Sequence, residues 1–165
     1  MKLQYDCDKL MAARLPNNYE WSYAAAGGLD QAVYSWAGNF LRNNEGKWMA
    51  NFKSIGDENI TTIDSVAQIV KGYSNTYFLD PALILASSES FQPNEYGLYN
   101  MCGNASELVA KNPISENQSP EKSVVAIGGN WNSTGYDIRI TSEISFEKAN
   151  PFVGFRPIIP IRFEN

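Results

Sequence analysis

The stretch PNEYGLYNMCGNASE, residues 93–107, combines oxygen-bearing side chains with glycine in a pattern that favours a metal-binding turn. Asn100 and Glu107 supply side-chain oxygens within eight residues of each other. Gly103 permits a tight turn that faces its own carbonyl and that of Ala105 inward. Calcium takes about six to eight oxygens of these kinds. The alternative is a glycine turn that leads into a strand and leaves Glu107 in solvent.

The amino-acid composition limits the kinds of catalytic and metal site that the chain can form. The chain has 165 residues, 44% apolar and 13% aromatic, which is enough for one domain with a real core. It has no histidine, which excludes Ser-His-Asp triads, Cys-His dyads and His-ligated zinc, haem or iron. Its two cysteines, Cys7 and Cys102, are too few for an all-cysteine zinc site or a disulfide scaffold. A pairing between these two cysteines stays open.

Charge and hydropathy exclude two further classes of protein. The net charge is −5, whereas a nucleic-acid binder normally carries the opposite sign. No apolar run approaches the ~18 residues of a membrane span. The N-terminus MKLQYDCDKLMAAR carries charges where a signal peptide needs an apolar core. The localisation is therefore not determined; a trimmed signal would favour the periplasm or the extracellular space.

The remaining sequence predicts short elements separated by loops, because Asn, Gly and Pro are abundant. Residues 17–28 predict a helix with Asn17 as N-cap, Glu20 in a capping box and Gly27 at its end. Apolar spacing predicts a second helix over 61–71. Strands are expected at 83–86, 124–127 and 153–159 and around Ile138, Ile140 and Ile144, and an exposed loop at 111–122.

Three blocks in order resemble the formylglycine-generating enzyme (sulfatase-modifying factor) family. They are RLP…EWSYAAAGG from Arg14, PNEYGLYNMCGNASE from Pro93, and GGNW from Gly128 followed by VGFR from Val153. The resemblance implies an α+β, modified C-type-lectin-like fold with short helices and a twisted antiparallel sheet. It also implies one domain over residues 1–165 that lacks part of the usual N-terminal region.

The resemblance implies two calcium sites. The family's first site maps onto Asn100, Gly103, Ala105 and Glu107. Its second site maps onto Asn51 and Phe52, with Asp80 and Ala82 as the later half; Ala82 stands where the family has an aromatic residue. Only a backbone oxygen is needed from that position, so the change is tolerable.

The family's redox ligands are absent. Its enzymes oxidise a substrate cysteine with copper(I) and oxygen through two cysteines that map onto Ser133 and Ile138, and neither side chain can bind copper(I). A related branch, the ergothioneine sulfoxide synthases, needs iron-binding histidines. Cys102 lies in the calcium loop, where a small buried apolar role is expected. The sequence therefore predicts no catalysis of the family type.

Binding is the function that remains. In the family, the region after the Gly-Gly pair lines the substrate groove, and here it offers aromatic and polar side chains for a protein partner or peptide-like ligand. The candidate contacts are Asn130, Asn132, Ser133, Thr134 and Tyr136, of which all but Asn130 are expected to be exposed.

A looser resemblance of residues 34–53 links the chain to gliding-motility and type IX secretion lipoproteins of Bacteroidota. It suggests a component of a bacterial envelope assembly. An oxidase with an atypical site and a ligand-display protein with a variable surface remain as alternatives.

Overall fold

The computed structural model describes residues 13–53, 58–63, 66–71, 85–111, 124–145 and 148–160. Within these ranges, one helix, α1 (Asn18–Ala26), precedes six strands. The strands are β1 (Glu58–Ile63), β2 (Val66–Lys71), β3 (Ser106–Ala110), β4 (Val124–Ile127), β5 (Glu143–Ile144) and β6 (Val153–Phe155).

The first helix forms as the sequence predicts. The Asn17 side chain accepts from the Glu20 N–H and the Glu20 carboxylate accepts from the Asn17 N–H, each at 2.9 Å, which completes the capping box. Gly27, with φ +60°, ends the helix in a left-handed conformation that suits glycine. Trp21 and Ala25 lie on the buried side of the helix.

The prediction of a helix over 61–71 is wrong. Residues 58–63 and 66–71 form an antiparallel hairpin in which Ile63 pairs with Val66 and Glu58 with Lys71. Ile, Val and Thr supply four of six residues in β1 and three of six in β2. These β-branched residues favour strands, and that preference prevails over an apolar spacing that also fits a helix.

The larger sheet has the order β5-β4-β3-β6. The pairs β3–β4 and β4–β5 are antiparallel, as expected, but β3 and β6 pair in parallel, so the sheet is mixed. The predicted strand at 124–127 is confirmed, and the C-terminal one is shortened to three residues. Ile138 and Ile140 lie in a turn-rich segment and not in a strand. Residues 83–84 and 112–122 lie outside the described residues.

The core forms where the helix, the sheet and three loops meet. Trp21 and Ala25 pack with Met101 and Cys102 from the 93–105 loop and with Val109 of β3. Further core residues come from the 34–52 loop, from β4 and from the segment after it: Tyr34, Ala50, Phe52, Val125, Ile127, Ile138 and Ile140. The core thus fixes the backbone of both candidate site loops.

Candidate functional site

The backbone of the loop that precedes β3 bends sharply at three residues. Asn100, Gly103 and Asn104 all have positive φ, of 53°, 79° and 65°. A Cβ on Gly103 would collide with the Asn51 carbonyl oxygen, so only glycine fits there. A cavity of about 280 Å³ opens beside this loop. Its lining comprises Ser88, Glu89, Gly97, Leu98, Tyr99, Asn100, Asn104, Ala105, Glu107 and Arg156.

The cavity unites three of the four residues expected at the first calcium site. Asn100, Ala105 and Glu107 line it, whereas Gly103 shapes the turn beside it. The Asn100 side chain donates to the carbonyl oxygens of Ser87 and Ser88, at 3.3 and 2.8 Å. Within the described ranges, no loop hydrogen bond engages the carbonyl oxygens of Asn100, Gly103 or Ala105.

The Glu107 carboxylate is held by two partners that the sequence did not predict. The Trp21 Nε1–H donates to Oε2 at 2.8 Å, from the buried side of α1. Arg156 donates through Nε to both carboxylate oxygens, at 3.0 and 2.9 Å, and through Nη2 to Oε1 at 2.6 Å. Glu107 is therefore neither solvated nor free, which contradicts the alternative of a glycine turn with Glu107 in solvent.

A cation at this loop would have to be held chiefly through carbonyl oxygens. In the part of the chain that the structure describes, no three His, Cys, Asp or Glu side chains converge on one point. A site on this loop therefore depends on backbone and amide oxygens, which hard cations such as calcium accept. The Glu107 carboxylate lies beside these oxygens, and its charge is already paired with the Arg156 guanidinium.

The two residues expected to form the first half of a second calcium site contact the 100–107 loop. Asn51 and Phe52 are buried. The Asn51 carbonyl oxygen accepts from the Asn104 N–H at 2.7 Å, and the Asn51 side chain donates to Asn104 Oδ1 at 3.0 Å. Asp80 and Ala82 lie outside the described residues, so the second site stays a prediction.

The loop after β4 separates into buried and exposed side chains. Asn130 and Ser133 are buried, with the Ser133 hydroxyl accepting from the Asn130 N–H and the Asn130 side chain donating to Ser106 Oγ, both at 3.0 Å. The expectation that Ser133 is exposed is wrong, because its hydroxyl closes this turn. Asn132, Thr134 and Tyr136 are exposed as predicted.

The two positions that map onto the family's copper-binding cysteines are buried here. The Ser133 hydroxyl accepts a hydrogen bond from the backbone N–H of Asn130, and Ile138 is fully buried in the core. Cys102 is also buried, as expected, and burial raises the pKa of its thiol to about 11. A thiol with so high a pKa is a poor source of thiolate near neutral pH. Cys7 lies outside the described residues.

Sequence reasoning missed Trp21 and Arg156 as partners of Glu107. Both residues stood inside the quoted blocks, but their contacts join helix α1, strand β3 and the segment after β6, which are far apart along the chain. Such long-range pairing leaves no periodic signal in a single sequence. A buried acid in a strand that also contains apolar residues is the one hint that a cationic partner was needed.

Comparisons with known proteins agree with this architecture. A family model described as a sulfatase-modifying factor enzyme 1-like domain matches residues 5–161. The inactive C-alpha-formylglycine-generating enzyme 2 of Bos taurus is 28% identical over 152 residues, which are 87% of this chain and 42% of that protein. The formylglycine-generating enzyme of Thermomonospora curvata is 37% identical over 103 residues, or 59% of this chain and 26% of that enzyme.

A solved structure shares the fold. Treponema denticola variable protein 1 superposes with a TM-score of 0.58 at 22% identity, over 88% of this chain and 46% of that one. The predicted fold is thereby confirmed. The chain spans less than half the length of these three proteins. No helix among the described residues is long and apolar enough to cross a membrane.

Proposed function

We propose that this chain, which belongs to the sulfatase-modifying factor enzyme 1-like family, is a non-catalytic, calcium-stabilised domain that binds a protein or peptide-like partner. Relatives of the chain include both inactive and active formylglycine-generating enzymes. The choice between these two groups therefore depends on the site residues of this chain.

The proposal rests on the side chains of Ser133 and Ile138, at the two positions that map onto the family's copper-binding cysteines. Copper(I) needs soft ligands such as thiolates. Ser133 offers a hydroxyl that already accepts a backbone hydrogen bond, and Ile138 is a fully buried hydrocarbon. Rebuilding a copper site would require another pair of soft ligands, and Cys102 is enclosed in the core. These facts favour a non-catalytic role over an oxidase with an atypical site.

Calcium would act here as a structural ion. It would be held by the carbonyl oxygens of Asn100, Gly103 and Ala105, with Glu107 supplying charge. A cation that binds only the bent loop stabilises the folded state by mass action. Asn51 and Phe52, with Asp80 and Ala82, would form a second site of the same kind.

Binding would use the exposed side chains of the loop after β4. Asn132, Thr134 and Tyr136 protrude from a segment whose backbone is anchored by Asn130 and Ser133. Exposed side chains on an anchored backbone are typical of recognition loops. A role in a bacterial envelope or secretion assembly, and a ligand-display role with a variable surface, remain proposals for the identity of the partner.

A direct test of the non-catalytic role is an oxidation assay. The protein is loaded with copper(I) and given oxygen and a cysteine-containing peptide, and peptide thiol loss is followed by mass spectrometry. An active formylglycine-generating enzyme treated in parallel is the positive control. We expect thiol loss no faster than with free copper. Enzyme-dependent, multiple-turnover conversion of the cysteine would overturn the proposal.

A further inference from the structure

Two loops of the described chain join into one surface beside the proposed binding loop. The Ile140 N–H donates to the Val33 carbonyl at 3.0 Å, and the Tyr34 hydroxyl donates to the Gly135 carbonyl at 2.9 Å. Gly135 has no side chain, and a Cβ there would collide with a Leu41 methyl group. Residues 33–42 and 135–140 are thus packed directly against each other.

Two large aromatic rings protrude from this junction. Phe40 is 81% exposed and Tyr136 is 69% exposed. Phe40 precedes Leu41 in the chain and Tyr136 follows Gly135, so each ring belongs to a residue next to the Leu41–Gly135 contact. Exposed aromatic side chains on two segments that pack against each other favour an interaction surface.

Two arginines are stacked on aromatic rings at the same surface. The Arg42 guanidinium lies 3.8 Å from the centre of the Trp48 ring and donates to the Gly46 carbonyl at 3.1 Å. The Arg139 guanidinium lies 3.2 Å from the centre of the Tyr136 ring and donates to the Tyr136 carbonyl at 3.0 Å. Stacking holds each cation in place before a ligand arrives.

These two guanidinium groups have no carboxylate partner among the described residues. Two acids lie in the same segments. Glu45 is paired with Lys47 at 2.7 Å, whereas Asp137 accepts from the neutral Thr134 hydroxyl at 2.7 Å and keeps its charge. Residues 33–48 and 135–140 together hold three cations and two acids, so they carry a net charge of +1 in a chain whose net charge is −5.

We infer that this aromatic–arginine face, defined by Phe40, Arg42, Trp48, Tyr136 and Arg139, binds an acidic polypeptide segment. The inference rests on the proposed binding function and specifies the chemistry of the partner. Arginine stacked beside a ring presents its free N–H groups to a carboxylate, while the exposed rings cover apolar parts of a peptide. Two cations on an acidic protein are too few for a nucleic-acid backbone, which needs a row of phosphate contacts.

The test begins with selection of a random peptide library displayed on phage against the immobilised protein. Affinities of the selected peptides are then measured for the wild type, Arg42→Gln, Arg139→Gln and Tyr136→Ser. Arg14→Gln is the matched control, because Arg14 is already paired with Glu20. Thermal unfolding of each variant verifies that it is folded. Heparin oligosaccharide and single-stranded DNA are tested as alternative anions.

The selected peptides should be rich in Asp and Glu. Each Gln variant at the face should weaken their binding about three- to tenfold, added salt should weaken it further, and Arg14→Gln should have little effect. Peptides without acidic bias that still lose affinity in Tyr136→Ser would overturn the inference and leave the proposed binding function intact. Stronger binding of heparin or DNA through the same arginines would assign another partner class and overturn it. Selected peptides unaffected by all three face variants, or no binding of any probe, would contradict both proposals.

Discussion

The Trp21 indole N–H donates to Glu107 Oε2 at 2.8 Å, inside the core and across 86 positions of sequence. This bond ties the capped helix α1 to strand β3 at the point where β3 emerges from the candidate cation loop. Because Glu107 also pairs with Arg156 after strand β6, one carboxylate connects helix, central strand and edge strand.

Replacing Trp21 with Phe should destabilise the fold by about 1.5–3 kcal/mol beyond its packing effect, because a hydrogen bond to a charged, buried acceptor is lost. Trp36→Phe is the matched control, since the Trp36 indole donates to the Phe40 carbonyl at an exposed position. Chemical denaturation of both variants measures the difference. Equal losses of unfolding free energy would show that the Trp21–Glu107 bond contributes nothing specific.

The Arg156–Glu107 pair should be worth far more than the chain's exposed Arg–Glu pair. Arg156→Met leaves a nearly buried carboxylate without its cation, at a cost of about 3 kcal/mol. Arg14→Met removes the exposed pair with Glu20 and should cost much less, because solvent screens that pair. Urea unfolding of the two variants compares the costs directly. Equal losses of unfolding free energy in Arg14→Met and Arg156→Met would contradict this prediction.

Gly103→Ala and Gly46→Ala separate a steric clash from backbone strain. Both glycines have positive φ, +79° and +78°, so alanine strains each by about 1 kcal/mol. A Cβ at Gly46 meets open space, whereas one at Gly103 meets the Asn51 carbonyl oxygen. We expect Gly103→Ala to lower the melting temperature several times more than Gly46→Ala. Similar shifts would mean that the loop relaxes freely around position 103.

Acid should weaken the first turn of α1. The hydrogen bond from Arg14, and then that from the Asn17 N–H, lower the pKa of Glu20 from 4.5 to about 2. A carboxyl whose folded pKa is lowered stabilises the protein above its unfolded pKa, and this stabilisation is lost as the pH falls from about 4.5 to about 2.

Glu20→Gln keeps the capping hydrogen bond and removes the charge. The wild type should therefore exceed Glu20→Gln in unfolding free energy at pH 6, by less than about 1 kcal/mol because the pair is exposed, and the difference should vanish near pH 2. A difference that is constant across this range would contradict the lowered pKa.

The sequence predicted those features that depend on a few neighbouring residues or on a motif of the family. The capping box at Asn17, the left-handed Gly27, the strand at 124–127 and the burial of Cys102 were all predicted from short stretches. Residues 61–71 were mispredicted because their apolar positions fit two periodicities. The β-branched content then decides for strands.

The sequence predicted which residues lie at the candidate site, but it did not predict which side chains they contact. Asn100, Ala105 and Glu107 do line one cavity. The partners of Glu107 and the burial of Ser133 depend on how distant segments pack, which a single sequence does not encode in any local signal. The stacked arginines at Trp48 and Tyr136 arise in the same way.

The central claim is that a metal bound by this chain stabilises the fold through the 100–107 loop and performs no redox chemistry. The most direct measurement is the melting midpoint in excess calcium and in chelator, for the wild type, Glu107→Gln and Glu45→Gln. Calcium at about a hundred times its dissociation constant should raise the wild-type midpoint by about 5 °C or more. The rise should persist in Glu45→Gln, which removes a remote exposed carboxylate, and shrink in Glu107→Gln. A wild-type midpoint that is the same in calcium and in chelator would contradict the claim.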